Sequence, residues 1–358
     1  MAYLENTVYL LGHQKSISVA YMGGSVTEGY GSTNPRQKCW PTLLSDWIGK
    51  TYGVEVKSKN SAIGGTGSYL GDFLFESEIA PMRPDLLFIE FAVNDRYEGY
   101  RYEAAARQVE TLIGKAYACN PYMDVVLVLT YDLHDETYDY VQLRAHRDIA
   151  EKYGLLSIKM SEFLYAHCKE TGEDPKTHYI DWVHPNDHGY EVYAEIIEGE
   201  LSKYLKPKKA ITKPIVRALQ GDGKDLLLHA KMIRTSDAKL SDISGWKYEK
   251  ESFTYLGLRY DGHLVADQPG SSFTLTFSGT DLGIFYGADT NRGKVSVLID
   301  GKERIVVDGY RWSINPKEYP IISHLKDGTH RATFTLLPER NEKSSGNLFE
   351  IGVFLVNG

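Results

Sequence analysis

The run Val125–Thr130, Val-Val-Leu-Val-Leu-Thr, narrows the fold more than any other segment. Six apolar or β-branched side chains with no polar face must be covered on both sides, which is the situation of a central strand in a parallel sheet. Two further apolar runs, Ile17–Met22 and Leu86–Ala92, and the short segment Val54–Lys57 read as strands of the same sheet. Between them lie segments of helical character. Trp40, Leu43, Leu44 and Trp47 recur at helical spacing, and Ala104–Tyr117, Val141–Tyr153 and Tyr190–Tyr204 read the same way. Strands alternating with helices predict βαβ units and an α/β fold with helices on both faces of a parallel sheet.

The pattern changes in the last third of the chain. Ser272–Phe277 alternates in polarity, and Val295–Ile299 and Arg304–Val307 flank Asp300-Gly301-Lys302. Asp-Gly accepts the positive φ angles of a tight turn, so this is a hairpin signal. Ala332–Leu336 and Phe349–Val356 complete a series of strands separated by turns, which predicts an antiparallel β-sandwich of the jelly-roll kind. A basic stretch containing proline, Leu205-Lys206-Pro207-Lys208-Lys209-Ala210, separates the two patterns. The expected organisation is an α/β domain over 1–205, a connecting segment over 206–234 and a β-sandwich over 235–358.

Composition excludes several classes. The 358 residues carry a net charge of −8 with both signs scattered, so there is no basic stripe for a nucleic acid and a neutral substrate fits better. Cys39, Cys119 and Cys168 form neither a disulfide framework nor a CxxC pair. No stretch reaches the ~20 apolar residues of a membrane-spanning helix. No secretory leader is visible at the start, so the expected location is the cytoplasm. Oligomeric state is not written in the sequence.

Four segments carry chemistry. Gly23-Gly24-Ser25-Val26 follows the first strand, where an α/β sheet presents its ligands, and its glycines permit a turn that exposes the Ser25 hydroxyl. By itself the segment fits a structural glycine turn equally well. Asp181-Trp182-Val183-His184 puts a carboxylate and an imidazole on one loop, where Asp181 can hold His184 in the tautomer that accepts a serine proton. The same residues also fit a plain helix-entry loop with a capping Asn186 or Asp187. Asn94, following the strand Leu86–Ala92, can aim its amide at a developing oxyanion, or serve as a turn residue. Gly64-Gly65-Thr66-Gly67 can cradle a phosphate or offer a backbone N–H to an oxyanion, and it matches neither nucleotide-binding signature. His184 and His188 stand four apart as a metal pair would. Pro185 disfavours helix at His184 and no third ligand presents itself, so no metal and no cofactor is expected.

In order and spacing these segments resemble the SGNH hydrolases, also called GDSL esterases, whose four blocks supply Ser, Gly, Asn and His. The resemblance covers the first 205 residues. It implies a flavodoxin-like three-layer α/β/α domain, Ser25 as nucleophile, and a triad completed by Asp181 and His184. It further implies an oxyanion hole made with Gly65 and Asn94. Two positions depart from the pattern: Gly24 stands where the family has Asp before the serine, and Ala92 stands where the third block has Gly.

A sandwich attached to such a domain resembles the two-domain carbohydrate esterases, which points to O-acetyl esters of saccharides such as mannan or xylan oligomers. Two other readings stand beside it: a small-acyl or thioester hydrolase without sugar preference, and a non-catalytic carbohydrate-binding protein on the same scaffold. Trp246, Tyr286, Tyr310 and Trp312 supply aromatic faces in the sandwich. Density of this kind more often marks core, and Trp312, in the loop-like run Gly309–Pro316, is the best candidate to stack on a sugar. Trp182, inside the catalytic loop, is the other candidate substrate contact.

Overall fold

The computed structural model describes residues 3–134, 139–206, 213–250 and 262–358. They form two compact units, Met1–Leu228 and His229–Gly358.

The first unit is an α/β domain built on a parallel sheet. Strands β1 (Ser16–Gly23), β2 (Glu55–Asn60), β3 (Leu86–Glu90), β4 (Asp124–Leu129) and β5 (Leu156–Lys159) lie in the order β2-β1-β3-β4-β5. All four pairings are parallel. Every residue of β3 and β4 is buried, the apolar ones by packing on both faces and Glu90 and Asp124 at their ends with hydrogen-bond partners, whereas β2 lies at the edge and exposes Lys57. An edge lysine also discourages pairing with a foreign strand. The expected helices are present as Trp40–Tyr52, Tyr102–Cys119, Val141–Tyr153 and Asp187–Tyr204. β5 and the helices Glu5–His13, Ser68–Leu74 and Met160–Thr171 are additional. β5 is only four residues long with alternate burial, too short for its periodicity to stand out.

Two sequence expectations change here. The strand expected over Leu86–Ala92 ends at Glu90, because Phe91 leaves extended geometry (φ −137°, ψ −3°) and a short helix, Ala92–Tyr97, begins. Asn94 therefore sits on the first turn of a helix. The stretch treated as connecting, 206–234, divides between the units. Residues 207–212 of the basic segment lie outside the described residues. Beyond them, Asn6 exchanges hydrogen bonds with the Ile215 backbone, and Arg217 pairs with the buried Asp124 at 2.7 Å. Ala230–Arg234 is already a strand of the second unit.

The second unit is a β-sandwich of two antiparallel sheets. Its strands are β6 (Ala230–Arg234), β7 (Lys239–Ser244), β8 (Lys247–Glu249), β9 (His263–Ala266), β10 (Ser272–Ser278), β11 (Asp281–Ala288), β12 (Lys294–Ile299), β13 (Glu303–Asp308), β14 (Asn315–Ile322), β15 (Thr329–Leu336) and β16 (Phe349–Asn357). One sheet has the order β13-β12-β15-β10-β7. The other runs β14-β11-β16-β9-β8, with β6 also paired to β16. Aromatic side chains fill the space between them: Phe273 stacks on Phe334 at 4.7 Å, and Trp246 meets Phe273 edge-on. Trp246 and Tyr286 are core residues, 5% and 2% exposed.

The β12–β13 hairpin turns at Asp300-Gly301, and both residues have positive φ, 49° and 69°. A side chain at Gly301 would pay the left-handed penalty in the folded state only. Gly301→Ala is expected to destabilise the second unit by about 1 kcal/mol, seen as a lower unfolding midpoint in denaturant with an unchanged slope.

Candidate active site

Because the first sheet is parallel, the residues that follow β1 to β4 emerge at the same edge. Ser25 follows β1, Gly64 and Gly65 follow β2, Asn94 follows β3, and Asp132 and His134 follow β4. The topology alone thus delivers chemistry-bearing side chains from four strand ends to one rim.

Ser25 opens a one-turn helix, Ser25–Glu28, directly after Gly24. Its hydroxyl lies 2.7 Å from His184 Nε2, and His184 Nδ1 lies 2.7 Å from Asp181 Oδ2. The second Asp181 oxygen accepts the backbone N–H groups of Val183 and His184, each at 2.8 Å. With Nδ1–H given to Asp181, Nε2 is the acceptor for the serine proton. Partial burial raises the Asp181 carboxyl, but the backbone donors of His184 and Val183 and the imidazole outweigh it and hold the carboxyl below its ordinary value. The group therefore stays ionised beside His184. The loop that carries both residues is closed by an antiparallel bridge between Tyr179 and Pro185 and by the Ile180 N–H donating to the His184 carbonyl.

A buried network fixes the serine turn. Glu90, the last residue of β3, accepts the Thr27 hydroxyl at 2.8 Å and the Thr130 hydroxyl as well. The Gly24 N–H donates to the Glu90 carbonyl. Full burial pushes the Glu90 carboxyl up to about 7, even though the threonine hydroxyls and the Gly24 and Thr27 N–H groups pull it down. The loop after β2 is tied to the same turn. Asn60 donates to the Thr27 carbonyl, the Ile63 N–H to the Gly23 carbonyl, and the Gly64 N–H to Glu28 Oε2. Gly65 turns there with φ 74°.

At Gly24, where the family pattern has Asp, the structure leaves no room for a side chain. A Cβ on Gly24 would lie 2.0 to 2.7 Å from the three terminal atoms of the Asn94 amide, far inside contact distance. The Asn94 side chain, 8% exposed, lies against the backbone that an Asp at this position would screen, and its Oδ1 has no hydrogen-bond partner among the described residues. The Asn94 helix is anchored from behind by its neighbour. Buried Asp95 accepts the Ser68 N–H and hydroxyl and pairs with buried His146 at 2.7 Å.

The structure therefore brings Ser25, Asp181 and His184 into hydrogen-bonded sequence and sets Asn94 and the Gly64-Gly65 loop beside Ser25. It separates the pair His184 and His188: His184 faces Ser25, while His188 faces Glu173. Trp182 is 45% exposed on the outer face of the catalytic loop, its ring 3.9 Å from that of His134 and its carbonyl accepting the Leu133 N–H. Lys176 lies over the same indole. Tyr30 stands edge-on to His184 at 4.6 Å, and Tyr97 donates to Asp132, which also binds His134. Sequence reading did not single out Tyr30, Tyr97, Asp132 or His134. For the last two, a position just beyond the central strand was the available signal.

In the second unit, Trp312 is 84% exposed and lines a cleft of about 410 Å³ with Tyr310, Tyr319, Arg311, Asp308 and Asn341. Asn341 and the Tyr310 N–H hold the Asp308 carboxylate at 2.8 and 3.0 Å. The run expected to be loop through Pro316 ends earlier, since β14 starts at Asn315.

A model of the GDSL-like lipase/acylhydrolase family matches residues 21–192, which include all of these site residues of the first unit. An acetylxylan esterase of Xylanibacter ruminicola is 24% identical over 217 residues, 52% of this chain and 44% of that one, so the chain spans under half the length of that relative. The whole chain is similar in fold to the crystal structure of a two-domain esterase active on acetylated mannans, with a TM-score of 0.84, 21% identity and coverage of 100% of this chain and 96% of that one. The same esterase co-crystallised with mannopentaose gives a TM-score of 0.83 at 21% identity, over 100% of this chain and 95% of that one.

Two variants test the site. Gly24→Ala should displace the Asn94 amide and lower kcat for p-nitrophenyl acetate by about a hundredfold, the scale of losing one oxyanion donor, in a protein with an unchanged far-UV spectrum. An unaltered kcat would show that the close approach has no catalytic consequence. Glu90 binds its proton more tightly in the folded than in the unfolded chain, so its contribution is present at low pH and is lost as pH rises from its ordinary value towards 7. The loss amounts to about 3 kcal/mol at most. Glu90→Gln, which cannot ionise, should lose less stability between pH 5 and 7 than the parent chain when both are unfolded in urea.

Proposed function

Because residues 21–192 make this chain a member of the GDSL-like lipase/acylhydrolase family, we propose that it is a serine esterase that removes O-acetyl groups from saccharides. The observation that carries the reading is the continuous hydrogen-bonded relay from Ser25 through His184 to Asp181. A non-catalytic binding protein would have no need of it.

Ser25 Oγ attacks the ester carbonyl carbon while His184 Nε2 takes its proton. Asp181 keeps the imidazole oriented and stabilises the imidazolium. The carbonyl oxygen, now negative, is met by the Ser25 N–H and the Asn94 amide, with Gly65 as the backbone donor that the family resemblance assigns. The C–O bond to the sugar then breaks, and His184 returns the proton to the departing hydroxyl. Water, deprotonated by His184, attacks the acyl-serine and releases acetate and free Ser25. The protein's own groups carry each of these steps.

Acetylated mannan or xylan oligosaccharides are the proposed substrates. Exposed Trp182 beside the triad and exposed Trp312 in an aromatic cleft of the second unit both offer the flat apolar faces that pack against sugar rings. The likeness to an acetylated-mannan esterase and to an acetylxylan esterase supports the same class. In the cytoplasm, the location proposed here, the substrates would be imported oligomers.

Acetate release from acetylated manno- and xylo-oligosaccharides, followed by mass spectrometry, tests the proposal. Ser25→Ala should lower turnover by several orders of magnitude, and Asn94→Ala by about a hundredfold or more. Release from simple aryl esters but never from sugars would overturn the saccharide assignment and leave the esterase standing. Full activity in Ser25→Ala would overturn both.

A further inference from the structure

Outside the catalytic relay, the loop that carries Asp181 and His184 is flanked by a second group of ligating side chains. Glu173, His178 and His188 each offer one donor atom, and these donors lie within 4.8 Å of one another. His178 Nε2 is 3.2 Å from Glu173 Oε2, and His188 Nε2 is 3.6 Å from Glu173 Oε1. Around a tetrahedral zinc ion with bonds of about 2.0–2.1 Å, neighbouring donors stand roughly 3.4 Å apart. The two histidine–glutamate separations, made to different oxygens of Glu173, bracket that spacing.

His178 is the informative member. It is fully buried, and among the described residues its Nδ1 has no hydrogen-bond partner, while the Glu173 carboxylate lies 3.2 Å from Nε2. A buried imidazole nitrogen without a partner calls for an explanation, and a bound cation supplies one. Glu173 and His188 are exposed, so a cation can enter from solvent.

We propose that Glu173, His178 and His188 bind a divalent transition-metal ion, with zinc the best match to two imidazoles and a carboxylate, and that this ion clamps the base of the catalytic loop. His178 immediately precedes Tyr179 and His188 immediately follows Asp187, so the ion would join the two stems of the segment 179–187. Those stems already touch. The Asn186 N–H donates to the His178 carbonyl at 2.9 Å, and a Cβ on Gly189 would strike that carbonyl at 2.0 Å. The role is structural, because His184 and Asp181 take no part in the shell.

The full-length chain, purified without a histidine tag and stripped with EDTA, is titrated with Zn2+ by calorimetry and with Co2+ by visible absorption. One ion should bind per chain, and Co2+ should show the intense visible bands of a tetrahedral site. A hundredfold excess of Zn2+ over its Kd should raise Tm by about 5–10 °C. His188→Ala and Glu173→Gln, both at exposed positions, should weaken Zn2+ binding at least tenfold and abolish the Tm shift, whereas His184→Ala should keep both. Absence of stoichiometric binding would overturn the proposal and leave an ordinary histidine–glutamate ion pair. Binding that survives His188→Ala and Glu173→Gln but disappears in His184→Ala would also overturn it, placing the ion at the triad.

Discussion

The first unit turns on a buried carboxylate. Glu90 ends β3 and gathers the hydroxyl of Thr27 from the serine turn and that of Thr130 from the end of β4, while its own carbonyl holds the Gly24 N–H. A carboxylate without solvent is costly unless its lone pairs are filled, and here the groups that fill them belong to neighbouring strand ends. Satisfying Glu90 therefore fixes where the serine turn sits relative to β3 and β4. The Ser25 hydroxyl is thus held in place by this buried support as well as by His184.

The Asn94 amide lies against the backbone of the serine turn, and Gly24 is the residue that permits that approach. Asp95, next in sequence, faces the other way into a buried cluster with Ser68 and His146. One short helix thus has a face that presents the Asn94 amide and a face that anchors it.

Around this rigid centre the catalytic loop is held by short-range bonds: two backbone N–H groups on Asp181, a bridge between Tyr179 and Pro185, and the Asn186 contacts to Thr177 and His178. The loop displays Trp182 outward, its ring tilted by 35° against that of His134. In the second unit, the aromatics divide by location. Trp246 and Tyr286 are consumed by the core, and Trp312 remains at the surface of a cleft.

Much of this was legible in the sequence, for local reasons. The unbroken apolar run at β4, the helical spacing of Trp40 to Trp47 and the Asp300-Gly301 turn are determined by neighbours within a few residues, and the structure has the sheet, the helix and the positive φ angles there. The spacing of Asp181 and His184 likewise confines both to one loop. The sequence could not show that Glu90, inside an apolar strand, gathers groups from Thr27 and Thr130, nor that Gly24 makes room for Asn94, because each contact joins residues about 40 to 70 apart in the chain. His184 and His188 stand four apart with Pro185 against a shared helical face, and tertiary packing turns the two rings to different partners. Residue types and local periodicity determined the two folds and the chemical inventory. Which side chains meet was decided by parallel strand ends that converge on one edge, a property of the sheet that no short segment contains.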